Sequence, residues 1–323
     1  MARKRVGYFG LSSPALYDYK TPAPRASSDQ MSSPNPIIEG VFGSMLLYDE
    51  LWFLCESLCP ANMRGLPYVR FVDQMDANFR LDGKALSTPE NAFSAEALAA
   101  YREASQLYST IREQIGVTFP AAADNHTHGL SINGSVFSAN SWRVDNVLLD
   151  LQAVKQLGHG VELILNSFTA RLFDTQAEQA AKMRLAEMLV LNNIPNYLTP
   201  QGPYHECIED VRNDTFLSDF RKWIANTKVP IAPSELREQK EKVERKLEES
   251  ERDVFVKYLA PSTGYKTLGK TMIGMAVGMI PGGGAVTDLV ELGGQLMDEK
   301  VKQEIRWQGF IASARGKVKD AIR

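Results

Sequence analysis

Two histidines one residue apart, His126 and His128, follow Asp124 in the segment Asp124-Asn-His-Thr-His-Gly. Alternate residues of an extended chain point to the same side, so a strand end can offer both imidazoles to one metal ion. The other two histidines are His159, in a Gly-His-Gly turn, and His205, and one of them would have to converge on the pair to complete a site. The plainer account gives Asp124 and the histidines local turn hydrogen bonds. Cys55 and Cys59 have the i, i+4 spacing of one helical face, but Pro60 follows at once, and we read them and Cys207 as buried thiols. Arg212, Arg221 and Lys222 beside Trp223 form a small basic patch that could touch phosphate or another protein, or could be a solvated helix face. The chain carries no Walker loop, dinucleotide glycine fingerprint or serine nucleophile elbow.

The letters PAAADNHTHG resemble the His-x-His strand end of amidohydrolases and related metal-dependent hydrolases. That resemblance implies a hydrolase using zinc on Asp124, His126 and His128. A longer stretch, residues 41–173, resembles a degenerate PIN-type nuclease domain. It is carried by DNVLLDLQAVKQLGHGVELILNSFTARLF, where an acidic residue starts a helix and the next strand ends near a second acidic or amide residue. On this resemblance Asp49, after an apolar strand, is the first metal carboxylate, Asp145 is a later one, and Asn166 occupies the strand-end position. Glu90 or Glu96 would supply a further helix acid. The implied cofactor is Mg²⁺ or Mn²⁺, which would activate water and stabilise the leaving oxygen of a phosphodiester, with nucleic acid as substrate. Asn166 stands where an acid would help hold metal, so the resemblance also admits an inactive relative. Helix capping alone would explain Asp145, and a strand-end turn would explain Asp49.

The elements that must position these residues follow from periodicity and punctuation. Arg5 to Leu11 reads as a first strand ended by Ser12, Ser13 and Pro14, and the Pro- and Ser-rich segment from Tyr17 to Pro36 as a long surface loop. In the dense apolar segment Val41 to Leu58, Met45 to Tyr48 could be a buried strand, although its periodicity does not separate strand from helix. Leu66 to Met75 could be helical or extended. Ser94 can cap a helix from Ala95 to Ile115. Asn133-Gly134 between two apolar triplets predicts a hairpin, because both residues tolerate positive φ. Asp145 then caps a helix from Asn146 to Leu157, Gly158 ends it, and Val161 to Leu165 is a strand, a spacing that suggests a βαβ-type unit. Helices are predicted over Thr175 to Leu191, Glu206 to Ala225 and the highly charged Glu235 to Tyr258.

The fold expected is α/β, with a mixed or mostly parallel sheet flanked by helices and a mostly helical C-terminal part. Residues 1–230 would form the α/β domain, and residues 231–323 a helical extension with a Gly-rich hairpin. In that extension Gly274 and Gly278 form a GxxxG step, and Pro281 with three glycines must turn the chain. The GxxxG step could serve a membrane-active hairpin or two short, closely packed helices.

With 36 basic and 39 acidic residues the formal charge is -3, so no overall field draws the chain to nucleic acid. The odd cysteine count, the short apolar stretch of the N-terminus and the lack of a long apolar run point to a cytoplasmic protein without a transmembrane span. Three functions are therefore in view. They are a metal-dependent nuclease or its inactive relative in a prokaryotic-type system, a non-catalytic subunit that binds a protein partner or a second copy of itself, and a histidine-site hydrolase.

Overall fold

A computed structural model describes residues 4–23, 33–82, 127–133, 135–140, 144–191, 202–254 and 299–322, with helical positions between 95 and 106. The chain divides into two compact units, Met1–Ala180 with Leu198–Tyr204, and Ala181–Tyr197 with His205–Arg323. In the first unit β1 (Val6–Phe9) precedes β2 (Leu16–Ala23), β3 (Ser33–Ile37), α1 (Val41–Leu47), β4 (Glu50–Phe53), β5 (Val69–Phe71) and α2 (Val72–Met75). Then come β6 (Thr127–Ile132), β7 (Ser135–Asn140), α3 (Val144–Leu157), β8 (Val161–Ile164), α4 (Ser167–Ala170) and α5 (Asp174–Val190), inside which the division falls.

Short apolar runs with both faces covered favour parallel pairing, and β5, β4, β1 and β8 form a four-stranded parallel sheet in that order. The chain is thus α/β, as its sequence predicts. Phe9 and Phe53, partners in register, stack with ring centroids 4.7 Å apart, and Tyr8, Phe42, Met45, Leu46, Leu51 and Leu54 are fully buried around them. At the N-terminal edge Arg5 pairs with Glu162 at 3.3 Å and lies 5.2 Å from the centre of the Tyr48 ring. Tyr48 Oη and Gln179 Nε2 donate to Glu162 Oε2 at 2.7 and 2.9 Å, and Gln179 also donates to Tyr48 Oη.

Two segments depart from the sequence reading. Met45 to Tyr48 is not a strand: residues 41–47 form α1, started by Gly40 at φ 62 and buried at every position, so no polar face marks its period. Within Tyr17 to Pro36, β2 and β3 pair antiparallel, Tyr17 opposite Pro36 and Asp18 opposite Asn35, in place of the surface loop the sequence predicts. Leu66 to Met75 resolves into β5 followed by α2. The hairpin is as predicted: Ile132 pairs with Ser135 across a two-residue turn, and Asn133 takes φ 46. Gly158 ends α3 at φ 92, its N–H reaching Val154 O at 3.0 Å. The Ala95 to Ile115 helix falls mostly outside the described residues, and the Gly-rich hairpin wholly so.

In the second unit α6 (Cys207–Arg212), α7 (Leu217–Asn226) and α8 (Pro233–Val254) precede α9 (Glu299–Ile322), which packs on α6 and α7. Phe220 meets Phe310 at 4.7 Å, and Trp223 stacks on Trp307 at 4.2 Å, so the aromatic of the basic patch is committed to packing. Asp214 accepts from Ser313 Oγ at 2.7 Å and from Lys317 Nζ at 2.8 Å. Arg315 bonds Glu244 at 2.8 Å and Leu189 O at 2.6 Å. No helix among the described residues is long and apolar enough to cross a membrane.

Candidate functional site at the C-terminal edge of the sheet

From β1 the chain steps outward to β4 and β5, then crosses back to lay β8 on the other side of β1. Open α/β sheets bind ligands beyond the strand C-termini at such a reversal. Here it gathers the turn Gly10-Leu11-Ser12-Ser13 after β1, Asn166 after β8, and the face of α3 that carries Asp150.

Asp150 is fully buried and faces the turn. Its Oδ1 accepts the Leu11 N–H at 2.8 Å, and its Oδ2 accepts the Ser12 N–H at 2.8 Å and the Ser12 hydroxyl. Burial pushes its pKa up to about 6, against the pull of the Ser12 and Leu11 donors. An ideal Cβ on Gly10 would lie 1.9 Å from Asp150 Oδ1, so only glycine lets the carboxylate seat there. The Ser13 hydroxyl accepts from Gly10 N–H at 2.8 Å and donates to Ile164 O. Asn166 Nδ2 donates to Ser12 O at 2.7 Å, while its Oδ1 accepts the Thr169 N–H at 2.9 Å and caps α4. Tyr8, buried beside them, has its pKa raised by burial and then by the charges of Asp150 and Cys55, and its hydroxyl has no partner among the described residues.

Among the described residues, the predicted site residues Asp49, Asp145 and Asn166 hold different places in the first unit. Asp49 lies before β4, not after a strand, because the segment ahead of it is helical. Its Oδ2 accepts the Arg5 N–H at 2.8 Å at the N-terminal edge. A four-residue strand puts that edge roughly 13 Å from the edge holding Asn166, whereas a magnesium ion needs its oxygens within about 2.1 Å. Asp145 is in the first turn of α3 rather than before it, half-buried. Five residues separate it from Asp150, about 140° around the helix, so the two carboxylates face different ways.

Asp124, His126, Glu90 and Glu96 lie outside the described residues, and His128 is known only by its backbone in β6. His159 is exposed in the turn between α3 and β8, and His205 Nδ1 accepts the Cys207 N–H at 3.2 Å. Among the described residues no three His, Cys, Asp or Glu side chains are grouped to hold a metal. Burial pushes Cys55 up to about 12, Cys207 up to about 11, and Cys59 well above its ordinary value, so all three are thiols at neutral pH.

Sequence reasoning passed over Asp150, Ser12 and Gly10. The available signal was an acid inside the apolar run Val147-Leu148-Leu149-Asp150-Leu151, one turn after the buried Asn146. The arrangement acts as a polar anchor that fixes α3 to the end of β1. Comparison with known proteins returned no matching family model, no matching curated protein and no matching solved structure.

Proposed function

We propose that the α/β unit is a non-catalytic relative of metal-dependent nucleases of the PIN type, and that the protein acts as an interaction subunit, binding a protein partner or a second copy of itself. One observation carries this reading: at the sheet's switch point the acid is Asp150, and both its oxygens are taken by N–H and O–H donors of the chain. Three of the carboxylate's roughly four lone-pair sites are spent on the Leu11 and Ser12 donors and the side chain is fully buried, which supports a structural rather than a metal-holding carboxylate. Asn166, the residue at the strand end, spends its amide on Ser12 O and on the cap of α4. Asp49 holds the start of β1 at the opposite edge.

The test is cleavage of single- and double-stranded RNA and DNA by the full chain with Mg²⁺ or Mn²⁺, beside an Asp49→Asn, Asp145→Asn double variant. Neither protein is expected to cleave above a protein-free blank. Metal-dependent cleavage that the double substitution abolishes, at unchanged thermal stability, would overturn the reading, and so would cleavage by both that Asp150→Asn abolishes. For the interaction role, light scattering and co-purification should show a self-assembly or a stoichiometric partner, and a monomer that retains neither counts against it.

A further inference from the structure

We propose that the turn after β1 is an oxyanion cradle whose ligand is the chain's own Asp150, a self-occupied site that accepts a small carboxylate such as formate or acetate once that side chain is removed. Leu11 and Ser12 present consecutive backbone N–H groups, each 2.8 Å from a different oxygen of one carboxylate, and the Ser12 hydroxyl adds a third donor. Successive N–H groups converging on one concavity make an anion site irrespective of where the anion comes from. Gly10 completes the concavity, since a Cβ there would fill the place of Oδ1.

The cradle is held by bonds that do not involve Asp150. The Ser13 hydroxyl accepts from Gly10 N–H and donates to Ile164 O, and Ser12 O accepts from Asn166 Nδ2 at 2.7 Å and from Asn166 N at 3.3 Å. These ties fix the turn to β8 and its cap, so the donors stay aligned when the carboxylate is gone. Every group bonded to the carboxylate is a neutral donor, which suits a singly charged planar carboxylate better than a phosphate dianion. In the wild type the Asp150 side chain excludes an outside ligand from the point where open sheets ordinarily bind one. The inference deepens the non-catalytic reading and rests on it for that consequence. Its test uses neither metal nor nucleic acid, so either can fail alone.

The experiment is thermal unfolding of full-length Asp150→Gly in sodium formate and in sodium chloride at equal ionic strength, with wild type and Asp150→Asn alongside. Formate is expected to raise the variant's midpoint saturably, by about 5 °C or more beyond chloride. Wild type and Asp150→Asn, whose side chains fill the cradle, should respond alike to the two salts. Should Asp150→Gly be unfolded in chloride, the readout is native structure regained on dilution from urea into formate. Equal response of Asp150→Gly to both salts, no recovery in formate, or an equal formate effect on wild type would each overturn the proposal.

Discussion

Gly10→Ala should damage this protein chiefly through Asp150, which supplies the three atoms nearest the added Cβ. The added Cβ would stand 1.9 Å from Asp150 Oδ1, 2.3 Å from Cγ and 2.8 Å from Oδ2. Ordinary contact begins near 3.4 Å, so the carboxylate must retreat by roughly 1.5 Å and lose the bonds from Leu11 and Ser12. Hydrogen bonds to a buried charged group contribute about 1.5–3 kcal/mol each, which puts the cost of the two backbone bonds at roughly 3–6 kcal/mol, a large share of a typical domain's stability. Asp150→Gly removes the same bonds and also the obstacle, so Gly10→Ala in that background should cost under about 1 kcal/mol. Urea denaturation of the four proteins would then give a coupling of at least about 2 kcal/mol, with the slope unchanged. Costs that add to within about 0.5 kcal/mol would refute the contact as the reason for the glycine.

Asp150 also predicts a pH dependence. Its folded pKa of about 6 lies above the unfolded value of about 3.9, so the folded state binds the proton more tightly. Its contribution is fully present below the unfolded pKa and is lost as pH rises through about 6, a change of roughly 3 kcal/mol. The difference in unfolding free energy between wild type and Asp150→Asn, followed from pH 4 to 7, should fall accordingly, and a flat difference would contradict the burial argument. Gly7→Ala would press a Cβ to 2.6 Å from Ile164 Cδ1 and 3.0 Å from the Tyr48 ring, whose hydroxyl is pinned by Glu162 and Gln179; a loss of about 1–3 kcal/mol is expected in urea. In the second unit, Asp214→Ala would strand the Ser313 hydroxyl, remove the acceptor of the Phe216 N–H and leave Lys317 with Asp210 O as its acceptor, and should cost about 2 kcal/mol. Hydrogen exchange in α9 should rise with that loss, and unchanged exchange there would count against the ion pair as its anchor.

Much of the architecture was legible because it is written locally. Val161 to Leu165 is an apolar run preceded by Gly158, and Asn133-Gly134 dictates its own turn, so β8 and the β6–β7 hairpin follow from a few neighbouring residues. The helix α1 was not legible, because burial on every side erases the polar stripe that distinguishes helix from strand. Nor were β2 and β3, whose pairing is made between segments each too polar and Pro-rich to announce a strand. The place of Asp49 was not legible for a related reason. Asp49 was placed by the assumption that a strand ran ahead of it, and once that segment is a helix the carboxylate moves to the opposite edge of the sheet. Nothing near Asp150 in the chain announces its role, since its partners Leu11 and Ser12 lie 139 and 138 residues away. Spacing reads contacts within an element, and this one is made between elements.

The most direct measurement is the NMR response of the Leu11 and Ser12 amide protons to Mg²⁺. If Asp150 belongs to these donors, as the non-catalytic reading requires, excess Mg²⁺ at neutral pH will leave both resonances and their exchange protection unchanged. Saturable shifts of the two amides that vanish in Asp150→Asn would show that the carboxylate serves a metal, and would contradict the account.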